Sequence, residues 1–264
     1  MTVLTRDTVE LRGGRAQVVF RTGEGPPLVW LHAADGVDEG HPLVRELAQR
    51  HAVVAPLAPG FADLEELDDV RDIHELAMHY EDVIHALGLE GATVVGHSFG
   101  AMIAAELAAH YPGRVRELVL IAPVGLWRDD EPVTDIFAVP LPELPRVLYA
   151  DPAFFPPAPG DGEVAPPDIE VLVSLARGMT SVAKFMWPIP DRGLGRRLHR
   201  IEARTLVVFG AEDAVVPSSY AEDFVARIAD ATAVVVPGAG HMVPVERPHE
   251  VLAAIDAFLA ASPV

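Results

Sequence analysis

The pentapeptide Gly96-His97-Ser98-Phe99-Gly100 sets a serine between two glycines, where an apolar run at 93–95 gives way to a helical pattern over 101–110. A serine on a sharp strand-to-helix turn is held in a strained backbone conformation, and small residues two before and two after it let neighbouring backbone pass. A hydroxyl is a weak nucleophile, so such a serine attacks a carbonyl carbon only beside a histidine base that a carboxylate orients. Both partners are available downstream. The run 205–209 leads into Ala211-Glu212-Asp213, just beyond the C-terminal end of a strand, where ligand-facing groups gather in open α/β sheets. The run 232–236 leads into Pro237-Gly238-Ala239-Gly240-His241, a loop histidine flanked by glycines. Asp213 is the preferred acid, with Glu212 beside it and Asp129 or Asp130, after the run 118–121, as rivals. His97 and His32 adjoin the same turns and are expected to pack or hydrogen-bond locally.

These residues must be positioned by strands and helices, and the chain alternates the two. Short apolar runs at 17–21, 27–32, 52–55, 93–95, 118–121, 205–209 and 232–236 are bounded by turn residues, and several are near-continuous Val/Leu/Ile, as in strands buried on both faces of a parallel sheet. Between them, apolar residues at three- and four-residue spacing predict helices over 73–87, closed by Gly88, and over 248–260 after a proline start. The expected fold is α/β, a three-layer sandwich with a mostly parallel sheet. The stretch 124–195 breaks the rhythm. It holds twelve of the 24 prolines and looks helical only over 169–177, yet it carries many aromatic residues. It is read as a packed lid inserted into a core formed by 1–123 and 196–264.

With these pieces in hand, the chain resembles the α/β-hydrolase fold superfamily, in its lid-bearing esterase and C–C bond hydrolase branch, over nearly its whole length. LVWLHAADG (28–36), VVAPLAPGF (53–61), VVGHSFG (94–100), RTLVVFGAEDAVVP (204–217) and VVPGAGHMVPVERP (235–248) carry the resemblance. It implies a triad of Ser98, Asp213 and His241, and an oxyanion hole made by the N–H groups of Ala34 and Phe99. Ala33 stands where the family usually has glycine, and Gly60-Phe61-Ala62-Asp63 replaces the usual G-x-G-x-S, so no role is expected for Asp63. Candidate lining of the substrate pocket is His32, Trp127, Phe137, Phe155, Met179, Trp187 and Met242. Met242 follows His241 where many C–C hydrolases carry an aromatic residue. That favours hydrolysis of a small or medium, largely apolar carboxylic ester. C–C cleavage of ring-fission products, lactone or thioester cleavage, acyl transfer, and a non-enzymatic ligand receptor on the same fold are the alternatives.

Composition narrows the partners. A formal charge of −19 repels phosphate backbones and anionic lipid surfaces, so neither nucleic acid nor membrane is expected. The start, MTVLTRDTVELRGG, lacks a basic segment followed by an apolar one, there is no cysteine, and a cytoplasmic location is expected. Glycine-rich phosphate motifs are lacking, and His74, His79 and His85 lack metal-ligand spacing, so neither cofactor nor metal is expected. A small-molecule ester is the expected partner, and a homodimer is left open.

Overall fold

The structure, a computed structural model, describes residues 4–37, 39–154 and 169–261. Eight strands form one sheet: β1 (Thr5–Glu10), β2 (Ala16–Thr22), β3 (Pro27–Leu31), β4 (Ala52–Pro56), β5 (Ala92–His97), β6 (Val115–Ile121), β7 (Arg204–Gly210) and β8 (Ala231–Val236). Their spatial order is β1-β2-β4-β3-β5-β6-β7-β8, antiparallel at the β1/β2 and β2/β4 pairs and parallel from β4 onwards. The helices are α1 (Pro42–Leu47), α2 (Ile73–Leu87), α3 (Phe99–His110), α4 (Leu144–Leu148), α5 (Ile169–Met186), α6 (Tyr220–Arg227), α7 (Val243–Glu246) and α8 (Pro248–Ala260).

The apolar runs behave as their composition dictates. Leu28, Trp30, Val53, Val95, Val119 and Val208 face one core together with α1 and α8, whereas Val29, Val94, Leu118, Leu120 and Val207 face the other with α2, α3 and α6. Alternate residues of each central strand enter opposite cores, so the sheet is buried on both faces and the expected three layers are observed. β5 is buried at all six positions, and it ends at the turn that carries Ser98.

Helix α2 starts where Asp72 accepts hydrogen bonds from the N–H groups of His74 and Glu75 and stops where Gly88 adopts φ 63°. Helix α3 has no solvent side from Phe99 to Ala109, and its alanines let it lie close to the sheet. A glutamate inside such a helix needs compensation. Glu106, fully buried, receives both guanidinium arms of Arg197 at 2.6 and 2.8 Å.

Three elements carry no readable signal. β1 (TRDTVE) is an edge strand exposed along most of its length, so no apolar alternation marks it, and α1 and α6 are two turns or less. Helix α5 extends past the expected 169–177 and passes through Gly178. A Cβ there would lie 2.5 Å from the carbonyl oxygen of Ala34, so glycine is what lets this helix touch the loop after β3. From the far end of α5, Val182, Phe185 and Met186 join the core, and the Phe185 ring stacks on Phe99 at 6.0 Å. Between β6 and β7 the chain adds no strand to the sheet among the described residues. At the opposite edge, β8 leaves Val234 and Val235 exposed.

Candidate active site

Ser98 occupies the turn between β5 and α3 with φ 51° and ψ −111°, a backbone conformation that residues with a Cβ rarely adopt. Its N–H donates to the Ile121 carbonyl at 2.8 Å, tying the turn to β6. The glycines on either side have no room for a side chain. A Cβ on Gly96 would lie 2.4 Å from the Gly100 oxygen, and one on Gly100 would lie 2.0 Å from the Leu31 oxygen.

His241 comes from the loop after β8, 143 residues along the chain, and its Nε2 lies 2.8 Å from the Ser98 Oγ. Its Nδ1 lies 2.9 Å from Oδ2 of Asp213, which comes from the loop after β7. The other carboxylate oxygen, Oδ1, accepts from the N–H groups of Val215 and Val216 at 2.8 and 2.9 Å. A carboxylate only accepts hydrogen bonds, so Nδ1 carries the proton and Nε2 is left to accept from the serine hydroxyl. All three residues are less than a tenth exposed, a setting in which charge interactions are strong. The rival acids are engaged elsewhere: Glu212 accepts from the Ala239 N–H, Asp129 from Trp127 Nε1, and Asp130 pairs with Arg128.

Two further histidines shape the site without entering it. His97 is fully buried and donates from Nε2 to the backbone oxygen of His241 at 3.0 Å. Burial, reinforced by the neighbouring His241, holds its pKa well below the usual histidine range, so it stays neutral. His32 donates from Nδ1 to the Ala33 oxygen at 2.7 Å and accepts at Nε2 from the Ala58 N–H at 2.9 Å. It therefore lies behind the Ala33–Ala34 turn as a brace. Burial lowers its pKa to about 4, against a smaller raising effect of its bond to Ala33.

A lowered folded-state pKa means that the unfolded chain binds the proton first. The stabilisation is complete above about pH 6.5 and is lost as pH falls from there towards 4, by about 3 kcal/mol at pH 4. Urea unfolding of the wild type and His32→Gln at pH 7 and pH 4 is expected to show their stability gap shrinking by about that amount. A gap that does not change with pH would contradict a buried neutral imidazole.

Phe99 is the first residue of α3, so its N–H is free of intrahelical bonding and lies at the positive end of the helix dipole. Neither this N–H nor that of Ala34 meets a protein acceptor among the described residues. In front of Ser98 lies a cavity of about 40 Å³ whose apolar walls include Val124, Trp127, Val133, Ile136, Phe137 and Met186. Of the residues expected to line it, Trp127 and Phe137 do so. Met242 is buried with its N–H on the Leu148 oxygen, Met179 is half-buried on α5, Trp187 is 56% exposed, and Phe155 lies outside the described residues. Val124, Val133, Ile136 and Met186 escape sequence reading because ordinary aliphatic residues in a proline-rich segment look the same in a wall as in a core.

Charge in the cavity is one-sided. Asp135, an exposed residue whose Oδ1 accepts from the Phe137 N–H, is the one ionisable side chain among the described lining residues, and no lysine or arginine is among them. Arg177 donates to the Ala62 oxygen, Lys184 to the Leu67 oxygen, and Arg192 to the Phe185 and Trp187 oxygens.

A sequence model of a family described as "Alpha/beta hydrolase family" matches residues 25–255. The chain is 27% identical over 256 residues to the dihydrolipoyllysine-residue acetyltransferase component of the acetoin cleaving system of Cupriavidus necator. That match covers 90% of this chain and 62% of the relative, so the chain spans less than two thirds of that protein's length. It is 30% identical over 257 residues to the 2-hydroxymuconate semialdehyde hydrolase of Pseudomonas sp. strain CF600, covering 90% of this chain and 88% of that one. The crystal structure of naproxen esterase from Bacillus subtilis superposes with a TM-score of 0.74 over 98% of this chain and 92% of that chain, at 17% identity, a likeness of fold.

Proposed function

Because the chain belongs to the alpha/beta hydrolase family, we propose that it is a serine carboxylesterase acting on a small, uncharged ester. The observation that carries this reading is the unbroken hydrogen-bond chain from Ser98 through His241 to Asp213. In the proposed mechanism Ser98 Oγ attacks the ester carbonyl as its proton passes to His241 Nε2. Asp213 holds the imidazolium that forms, and the N–H groups of Phe99 and Ala34 receive the oxyanion, each such donor contributing about 3 to 4 kcal/mol in the transition state. His241 returns the proton to the departing alcohol. Water, deprotonated by the same imidazole, then releases the acid and restores the serine.

The segment 124–195 serves as the lid in this reading and supplies most of the cavity wall. The cavity, about 40 Å³, favours the small end of the substrate range. C–C hydrolysis is the second reading, supported by the likeness to the semialdehyde hydrolase. A dienoate, however, brings a carboxylate that needs a cation or strong donors when buried, and no lysine or arginine lines the cavity among the described residues. The test is a panel of nitrophenyl acetate, butyrate and octanoate assayed beside a 2-hydroxy-6-oxodienoate. Acetate is expected to be turned over fastest and the dienoate at least a hundredfold more slowly. Faster dienoate cleavage would replace the ester reading, and binding without turnover of any of them would leave a receptor.

A further inference from the structure

Glu246, on α7, is 4% exposed and has no ion-pair partner among the described residues. Three backbone N–H groups compensate its carboxylate. Oε2 accepts from Gly240 at 2.7 Å, and Oε1 accepts from Ala150 at 2.9 Å and Asp151 at 3.1 Å. Gly240 directly precedes His241, whereas Ala150 and Asp151 follow α4 in the 124–195 segment. The residue after the histidine is tied to the same stretch, since the Met242 N–H donates to the Leu148 oxygen at 3.0 Å. The two backbones are in contact between these bonds: a Cβ on Gly240 would lie 2.7 Å from the Ala150 nitrogen and 2.9 Å from the Tyr149 carbonyl carbon. Both neighbours of His241 are thus held by residues 148–151, one of them through a buried charge.

We infer that Glu246 is a positioning residue that clamps the 148–151 stretch of the lid segment onto the histidine loop, so that His241 sits between Ser98 and Asp213 only while that stretch is docked. The inference rests on the hydrolase reading of His241. Charge-assisted bonds from one carboxylate to two separate strips of backbone make the strips move together. Displacing the imidazole by about 1 Å is enough to lower turnover about a hundredfold. An amide at 246 keeps the shape but turns an NH₂ towards N–H donors on one side, so the clamp opens at Gly240 or at Ala150 and Asp151.

The experiment compares the wild type with Glu246→Gln and Ala150→Pro. The second variant deletes one lid-side donor and changes no residue of the histidine loop, and Tyr149 before it is already extended (φ −121°, ψ 142°), as a residue preceding proline must be. Two quantities are read: kcat and KM for nitrophenyl acetate, and the NMR resonance of the His241 Nδ1 proton, with melting temperature as the folding check. Both variants are expected to lower kcat at least tenfold with KM within twofold, and to shift or broaden the resonance. If Glu246→Gln does not fold, Ala150→Pro alone decides. A folded Glu246→Gln with wild-type kcat and resonance overturns the inference. So does a folded Ala150→Pro of wild-type behaviour, because the glutamate would then serve only its own loop. Should the wild type hydrolyse no ester, the hydrolase reading falls, and the resonance still decides whether the lid stretch positions the imidazole.

Discussion

Replacing Ser98 with alanine is expected, on the proposed ester mechanism, to lower kcat for nitrophenyl acetate by about 10⁶-fold, because such a triad acts as a unit and the variant lacks the attacking oxygen. The substitution keeps the Cβ, so the unusual backbone at φ 51° is no more strained than before. What changes is confined to one hydroxyl, and His241 Nε2 loses its 2.8 Å partner. Stability is therefore expected to move by only about 1 kcal/mol. The variant should bind substrate with little change and retain the slow background that oxyanion stabilisation alone provides, about 10³ to 10⁴ over water. A fluorophosphonate should label the wild type once per chain and the variant not at all. Turnover of the variant within tenfold of the wild type would remove Ser98 from the reaction.

Asp213→Asn carries the second-largest expected effect, a fall in kcat of about 10⁴-fold, and the structure says why an isosteric change is so damaging. Oδ1 accepts from two N–H groups, Val215 and Val216, and an amide nitrogen there would set donor against donor. The asparagine is thereby forced to keep its oxygen on that side and to turn its NH₂ towards His241 Nδ1, where the carboxylate now accepts. Nδ1 must then be bare and Nε2 protonated. An Nε2 that already holds a proton cannot take one from Ser98. Asp213→Ala imposes no tautomer, so it is expected to be no worse than Asp213→Asn despite removing more atoms. A variant asparagine enzyme within tenfold of the wild type would mean that another group orients the imidazole.

The sequence reveals these residues because each constraint leaves a mark on residue type. The backbone crossing at the turn demands glycine at 96 and 100, the buried parallel strands demand runs of Val, Leu and Ile, and strand ends point to Asp213 and His241. The sequence prefers Asp213 to the adjacent Glu212, and the structure supplies the reason it could only rank them: the two carboxylates face opposite ways, Asp213 towards His241 and Glu212 towards the Ala239 N–H. Glu246 lies in the 235–248 stretch that carries the resemblance, yet its role could not be read from the sequence. A carboxylate whose partners are backbone N–H groups writes no pattern into the chain, because every residue except proline supplies such a donor. His32 is a related case. Its neighbours in sequence suggest a pocket wall, but the distant Ala58 N–H that fixes it behind the turn is 26 positions away.

The 143 residues between Ser98 and His241 also set a timetable. A ribosome adding about 5–20 residues each second extrudes the serine turn about 7 to 30 s before the histidine. β5 and α3 emerge early, yet the hydroxyl they display has no base beside it until the last strand, β8, has left the exit tunnel and joined the sheet edge. A chain that stops short of His241 therefore lacks the base that the proposed mechanism requires. On the proposed mechanism the serine gains its base only once synthesis has passed His241.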